Sequence, residues 1–378
     1  MTKLSCYLDN AATTPLSSEM KEYLISVLDV FGNPSSAHST GGRAHRLIEE
    51  VRKKVAKFIK ADSFENVYFT SSGSASNTLG IQGYAFANKC NILYLPTAHK
   101  SVLKTIDNLA KACGINTVEL CVDYNGNIDV DFLYRMISTI EGNVLVVVEY
   151  ANSEIGTIQD IKTISDIVHK YGGKLFVDCT GSISTTPLDV VGLNIDMATF
   201  SAHKIGALKG VGVLYKKTNI VVSPLVFGSQ EQGLFAGTEN VLGIASLGKA
   251  IDLINYDKSP YNRDFVWNSI RGINGIDLVG SPLNDRLVNN LYVCIKGVPG
   301  GEIVALMDDV YKIQISTGSA CNNGSPSPSS TALAIGLSEE DANSCVRISF
   351  SGNETEDELK EFCKSFSTCI KMLRDLKD

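Results

Sequence analysis

The chain has 378 residues, 44% of them hydrophobic and 20% charged, with a formal net charge of −7. This acidic balance, with no basic stripe, excludes tight direct nucleic-acid binding through a charged face. The ten cysteines are scattered without a CxxC pair or zinc-finger spacing, so neither a disulfide framework nor a metal site is expected.

Residues Met1–Cys6 lack the apolar core of a signal peptide. The strongest apolar run, Val144–Val148, has strand length and falls far short of the ~18 residues of a membrane span. A cytoplasmic chain without membrane contact is expected. In chain order, Ser17-Ser18 after Pro15 can cap a helix through Phe31. Ala44, Leu47, Ile48, Val51, Val55, Phe58 and Ile59 recur at helical spacing over 41–60. Residues 66–71 read as a strand broken by Ser72-Gly73-Ser74, with a helix to about Phe86. Strand 91–95 and helix 100–113 follow, then a buried strand 144–149. Helix 161–171 and strands 174–178, 197–201 and 211–215 complete the alternation. It predicts an α/β fold with a mainly parallel sheet. After about residue 256 the texture changes to helix 263–272, strands near 289–296 and 312–317, and two C-terminal helices. The domain expectation is a large α/β unit over 14–255, with 1–13 and 256–378 forming a smaller α+β unit. The Gly/Pro/Ser-rich stretch 322–330 reads as a mobile surface loop.

Four features carry chemistry. Lys204, in Ser201-Ala202-His203-Lys204, follows a strand and precedes a glycine-rich turn, which suits a Schiff-base lysine with phosphate ligands beside it. Asp178 ends a parallel strand, where α/β sheets bind ligands. An acid there suits the pyridine nitrogen of pyridoxal phosphate. The small-residue turn Ser71–Asn77 leaves backbone N–H groups free at a helix N-terminus, an anion site without a Walker lysine. Cys321, in Gly318-Ser319-Ala320-Cys321, opens a predicted loop, where a thiol can react. Singly these read as a loop lysine, a capping aspartate, a plain turn and a stray cysteine. Their order gives them weight.

The segments Asn10–Pro15, Gly32–His38, Ala98–Lys100, Asn152–Gly156, Ser201–Lys204, Ala236–Asn240 and Gly318–Cys321 stand in the order seen in NifS/IscS-type cysteine desulfurases. The chain resembles that family from Tyr7 to about Leu359. The resemblance implies a class V aminotransferase relative of PLP fold type I, usually a homodimer. It implies that Lys204 binds pyridoxal 5′-phosphate covalently and that Asp178 pairs with the ring nitrogen. His99 would stack on the ring as acid and base. Gly73, Ser74, Ser201 and His203 would bind the phosphate, with Thr238 reaching in from the other subunit. Asn152 would serve cofactor and substrate, Gly181 would stand at the cofactor's O3′, and Arg347 would clamp the carboxylate of L-cysteine. Cys321 would take the sulfur as a persulfide, leaving L-alanine, and pass it to an acceptor protein in iron–sulfur assembly, tRNA thiolation or DNA phosphorothioation.

Three positions depart from the family pattern. Gly181 replaces a glutamine that donates to the cofactor, Phe235 replaces an arginine, and Ala75 replaces a glutamate. None of them removes Lys204, Asp178, His99, Cys321 or Arg347. Two other readings stay open at this point. One is a cysteine or selenocysteine lyase releasing free sulfide or selenide. The other is a degenerate desulfurase acting as a scaffold subunit.

Overall fold

The structure, a computed structural model, describes residues 6–257, 259–318 and 328–376. Strand β1 (Cys6–Tyr7) lies apart from the main sheet. The next seven strands are β2 (Val67–Thr70), β3 (Asn91–Tyr94), β4 (Thr117–Glu119), β5 (Val144–Glu149), β6 (Lys174–Asp178), β7 (Met197–Ser201) and β8 (Gly212–Lys216). They form one sheet in the order β2-β8-β7-β6-β5-β3-β4. All pairs are parallel except those of β8, which runs antiparallel to β2 and β7.

The sheet is buried on both faces, which is why its central strands are continuous apolar runs. Val146, Val148, Leu175, Val177 and Phe200 face one layer, where they meet helices α2 (Ser39–Phe58), α5 (Val130–Thr139), α6 (Ile161–Lys170) and α7 (Val241–Leu253). The alternate residues Leu145, Val147, Phe176 and Met197 face the other layer, against α3 (Gly73–Asn88) and α4 (Lys100–Cys113). Helix α1 (Ser18–Val27) packs on α7. A further core gathers α8 (Tyr261–Ile270), α9 (Gly300–Tyr311), α12 (Glu356–Asp375), β10 (Asn290–Ile295) and β12 (Cys345–Ser349). β10 lies between β12 and β9 (Ile276–Leu278) in an antiparallel sheet. β1 pairs in parallel with β11 (Ile313–Gln314).

The α/β class and the mainly parallel sheet stand as expected. Several boundaries move. The first helix, capped by Ser17 as expected, stops at Val27 and not at Phe31. Ile25, Leu28 and Phe31 are all exposed, so no burial carries the helix on. The strand expected over 312–317 shrinks to two residues, because β1 offers it only two partners; Ser316 instead bridges to Arg347. The loop expected over 322–330 ends early, because Ser329 caps α10 (Ser330–Ala334) by accepting from the Ala332 N–H. Residues 319–327, and with them Cys321, lie outside the described residues. Beyond them the two expected C-terminal helices are three, with α11 (Glu339–Asn343) between α10 and α12. No helix among the described residues is long and apolar enough to cross a membrane.

Candidate active site

The C-terminal ends of β5, β6 and β7 open onto one cavity of about 430 Å³. Ligands bind at this edge of parallel sheets because helix N-termini and strand-end side chains converge there.

Asp178 closes β6 and is 5% exposed. Asn77 Nδ2 donates to its Oδ2 at 2.8 Å and the Thr180 N–H donates to its Oδ1 at 2.9 Å. Asn77 is itself buried. Its Nδ2 also donates to Ser101 Oγ at 3.1 Å, and its Oδ1 accepts from Thr199 Oγ1 at 2.5 Å. Ser101 Oγ lies 2.8 Å from His99 Nδ1. That Nδ1 also accepts from the Ser101 N–H at 3.1 Å, so in the neutral ring the proton sits on Nε2. His99 is exposed on the cavity wall, at the cap of α4.

Lys204 lies in a single 3₁₀ turn after β7. Its amine donates to the carbonyls of Ala11 and Ala12. Burial, and after it the Arg347 cation, lowers its pKa to about 8, against the pull of Asp9 and Asp178. About a tenth of the amine is therefore neutral at pH 7. His203 contacts Thr13 Oγ1 at 3.1 Å. Burial, followed by the cations of Lys204 and Lys209, brings it down to about 4, so its ring is neutral.

α3 begins at Gly73, so the expected breaking turn is the helix's own first turn. Ser72 Oγ caps it by accepting from the Ala75 N–H. The N–H groups of Gly73 and Ser74 stay at the helix start, where its dipole favours an anion. Gly73 sits against Ser201; a Cβ there would lie 3.1 Å from the serine Cβ. Arg347, on β12, is 3% exposed. Its Nη2 pairs with Asp9 Oδ1 at 2.8 Å, its Nη1 donates to the Ser153 carbonyl at 3.2 Å, and its Nε has no partner among the described residues. Asn152 lines the cavity, but its amide is committed to the protein. Nδ2 donates to Thr97 O and Glu149 Oε1, and Oδ1 accepts from the N–H groups of Glu154 and Ile155.

The cavity thus gathers every expected site residue except two. Thr238 is exposed just before α7 and lies off this cavity wall, and Cys321 is outside the described residues. Asn77, Thr97, Ser101, Asp9 and Glu149 were given no role from the sequence. Only Glu149 left a signal there, as an acid ending an apolar strand. Among the described residues no cluster of three or more His, Cys, Asp or Glu could hold a metal.

The wall fits pyridoxal phosphate by its donor set. An anion-binding helix start, a buried carboxylate and a desolvated lysine surround one space. Thr180 Oγ1 and Arg347 Nε, both buried, have no partner among the described residues and are left for polar groups of a ligand.

Residues 6–362 match the family model described as aminotransferase class-V. The chain is 36% identical over 386 residues to "Cysteine desulfurase IscS" from Dictyoglomus turgidum, covering 99% of this chain and 96% of that protein. A solved "NIFS-LIKE PROTEIN" superposes with a TM-score of 0.89 at 29% identity, covering 97% of this chain and 100% of the other. "SspA in complex with cysteine" superposes with a TM-score of 0.79 at 29% identity, covering 93% and 100%.

Proposed function

The chain belongs to the aminotransferase class-V family, and within it we propose a pyridoxal-phosphate-dependent cysteine desulfurase. It takes sulfur from L-cysteine, releases L-alanine and leaves a persulfide on Cys321. The observation that carries this reading is the meeting of Lys204, Asp178, His99 and Arg347 around one cavity beside the start of α3. The similarity to cysteine desulfurases over nearly the whole chain supports the same reaction.

When bound, pyridoxal phosphate supplies an electron sink that makes the Cα proton of an amino acid acidic. Asp178, fixed by Asn77 and Thr180, would hold the ring nitrogen. Gly73, Ser74, Ser201 and His203 would hold the phosphate. Arg347, already oriented by Asp9, would hold the substrate carboxylate through its planar fork and so set the orientation of Cα. Lys204, with its lowered pKa, would remove the Cα proton as the neutral amine. His99 would move a proton at Nε2. The Cys321 thiolate then attacks the substrate sulfur. The Cβ–S bond breaks as the S–S bond forms, its electron pair staying with Cβ, which takes up a proton; a second proton, returned to Cα by Lys204, completes alanine.

Thr238 is exposed and away from its own cavity, which supports a second copy supplying it to the neighbouring site. The nine described cysteines are all free, which suits a reducing, cytoplasmic setting. A separate protein accepts the sulfur. Cys321→Ala tests the assignment. Sulfide release with a thiol reductant should vanish while the yellow cofactor stays bound. Release at the wild-type rate refutes it.

A further inference from the structure

Glu149 ends β5, one strand over from Asp178, with which it pairs in register. It is 6% exposed and lines the same cavity, yet none of the roles above uses it. Its hydrogen bonds are lopsided. Thr97 Oγ1 donates to Oε1 at 2.8 Å, and Asn152 Nδ2 donates to the same oxygen at 2.9 Å. No described residue donates to Oε2. Oε2 opens onto the cavity. A neutral carboxylic acid accepts on its carbonyl oxygen, while its hydroxyl seeks an acceptor. The bonds at Glu149 fit such an acid, with Oε1 as its carbonyl oxygen and Oε2 turned to meet a ligand.

The electrostatics agree. Burial leads in pushing Glu149 up to about 8, with Asp178 and Glu154 adding to it against the bonds from Asn152 and Thr97. The other titratable groups on the cavity wall are His99 and Lys100 at the start of α4, His203, Lys204 and Lys209 after β7, and Arg347 on β12.

Position then selects the acceptor. The anion-binding start of α3 lies against Ser201, on the β7 side of Asp178, whereas Glu149 lies on the β5 side. A pyridine ring held by its nitrogen at Asp178 and its phosphate at α3 would turn its opposite edge toward β5. That edge carries the phenolic oxygen. Gly181 brings no side chain to it, and a Cβ there would collide with the Ala151 carbonyl oxygen. Resting on the cofactor reading above, we propose that Glu149 is a cofactor-binding residue, a neutral acid that donates from Oε2 to the phenolic-oxygen edge of the ring.

Apoprotein titrated with pyridoxal phosphate at pH 7 and pH 9, wild type beside Glu149→Gln, tests this. Glutamine keeps an acceptor for Thr97 and Asn152 and donates from its nitrogen at either pH. The two proteins should bind within about threefold of each other at pH 7. At pH 9 the wild type should be weaker than the variant by about tenfold, because about nine-tenths of a group titrating near 8 is ionised there. Lys204 titrates in both proteins and cancels in the ratio. A ratio unchanged between the two pH values overturns the proposal, as does a glutamine variant tenfold weaker at pH 7. Should the variant not fold, infrared difference spectra of the wild-type holoenzyme between pH 7 and pH 9 decide. A protonated-carboxyl band lost at pH 9 upholds the neutral acid, and no such band removes it. A wild type that binds no cofactor brings down the cofactor reading as well, whereas a flat ratio in a protein that binds it brings down Glu149 alone.

Discussion

Asn77 offers the sharpest test of how the cavity is built. Its amide joins Asp178, Ser101 and Thr199 in one buried network, and through Ser101 it reaches His99. Replacing it with leucine keeps the volume and removes every one of these bonds. Asp178 keeps only the Thr180 N–H. A hydrogen bond to an ionised group is worth about 1.5–3 kcal/mol. If the carboxylate anchors the ring nitrogen, losing its Asn77 partner should weaken cofactor binding by about 10- to 100-fold, at about 1.4 kcal/mol per decade. The assay is titration of apoprotein with pyridoxal phosphate, followed by absorbance, with circular dichroism to confirm the fold. Asn77→Asp should be worse still, because it sets a second carboxylate against Asp178. Binding of the leucine variant within about twofold of wild type would refute the idea that this network holds Asp178 for the cofactor.

Two further outcomes follow from the same geometry. Lys204, lowered to about 8, should make the rate of cofactor capture by apoprotein rise about tenfold from pH 7 to pH 9 and then level off. Stopped-flow absorbance would show this; a rise continuing unabated beyond pH 9 would mean that burial does not lower the lysine. Gly181→Gln should fail to restore the family's usual donor, because its Cβ collides with the Ala151 carbonyl oxygen and crowds the Ser153 nitrogen at 3.3 Å. Overpacking of this kind costs about 1–3 kcal/mol. The variant should melt at a lower temperature and bind cofactor no more tightly than wild type.

The strands that carry the site were legible because their sequences leave little choice. Val144–Glu149, Lys174–Asp178 and Met197–Ser201 are short apolar runs buried on both faces, and the structure keeps their predicted bounds. No local pattern announces the short strands β4 and β9, and β11, expected longer, is cut to the two residues that the sequence-distant β1 can pair. The site divides in the same way. Lys204, Asp178 and the start of α3 were readable from strand ends and small-residue turns. Asn77 was not, since a polar residue inside a helix has no meaning until Asp178 and Ser101 stand beside it. Glu149 became significant only when the sheet register set it next to Asp178.

The segment just before α1 has a consequence for the order in which the molecule is made. β1 pairs with β11, Asn10 Nδ2 donates to the Ser349 carbonyl, and Asp9 waits for Arg347. Lys204 is held by the carbonyls of Ala11 and Ala12 in this same stretch. These partners are separated by more than 300 positions in the case of Asn10 and Ser349, so closing them is slow and comes late. Strands β2 to β8 can assemble on the ribosome, yet the lysine's surroundings stay unfinished until β12 has emerged. A nascent chain therefore has a sheet before it has a reactive centre, and the chemistry begins only in a nearly finished molecule.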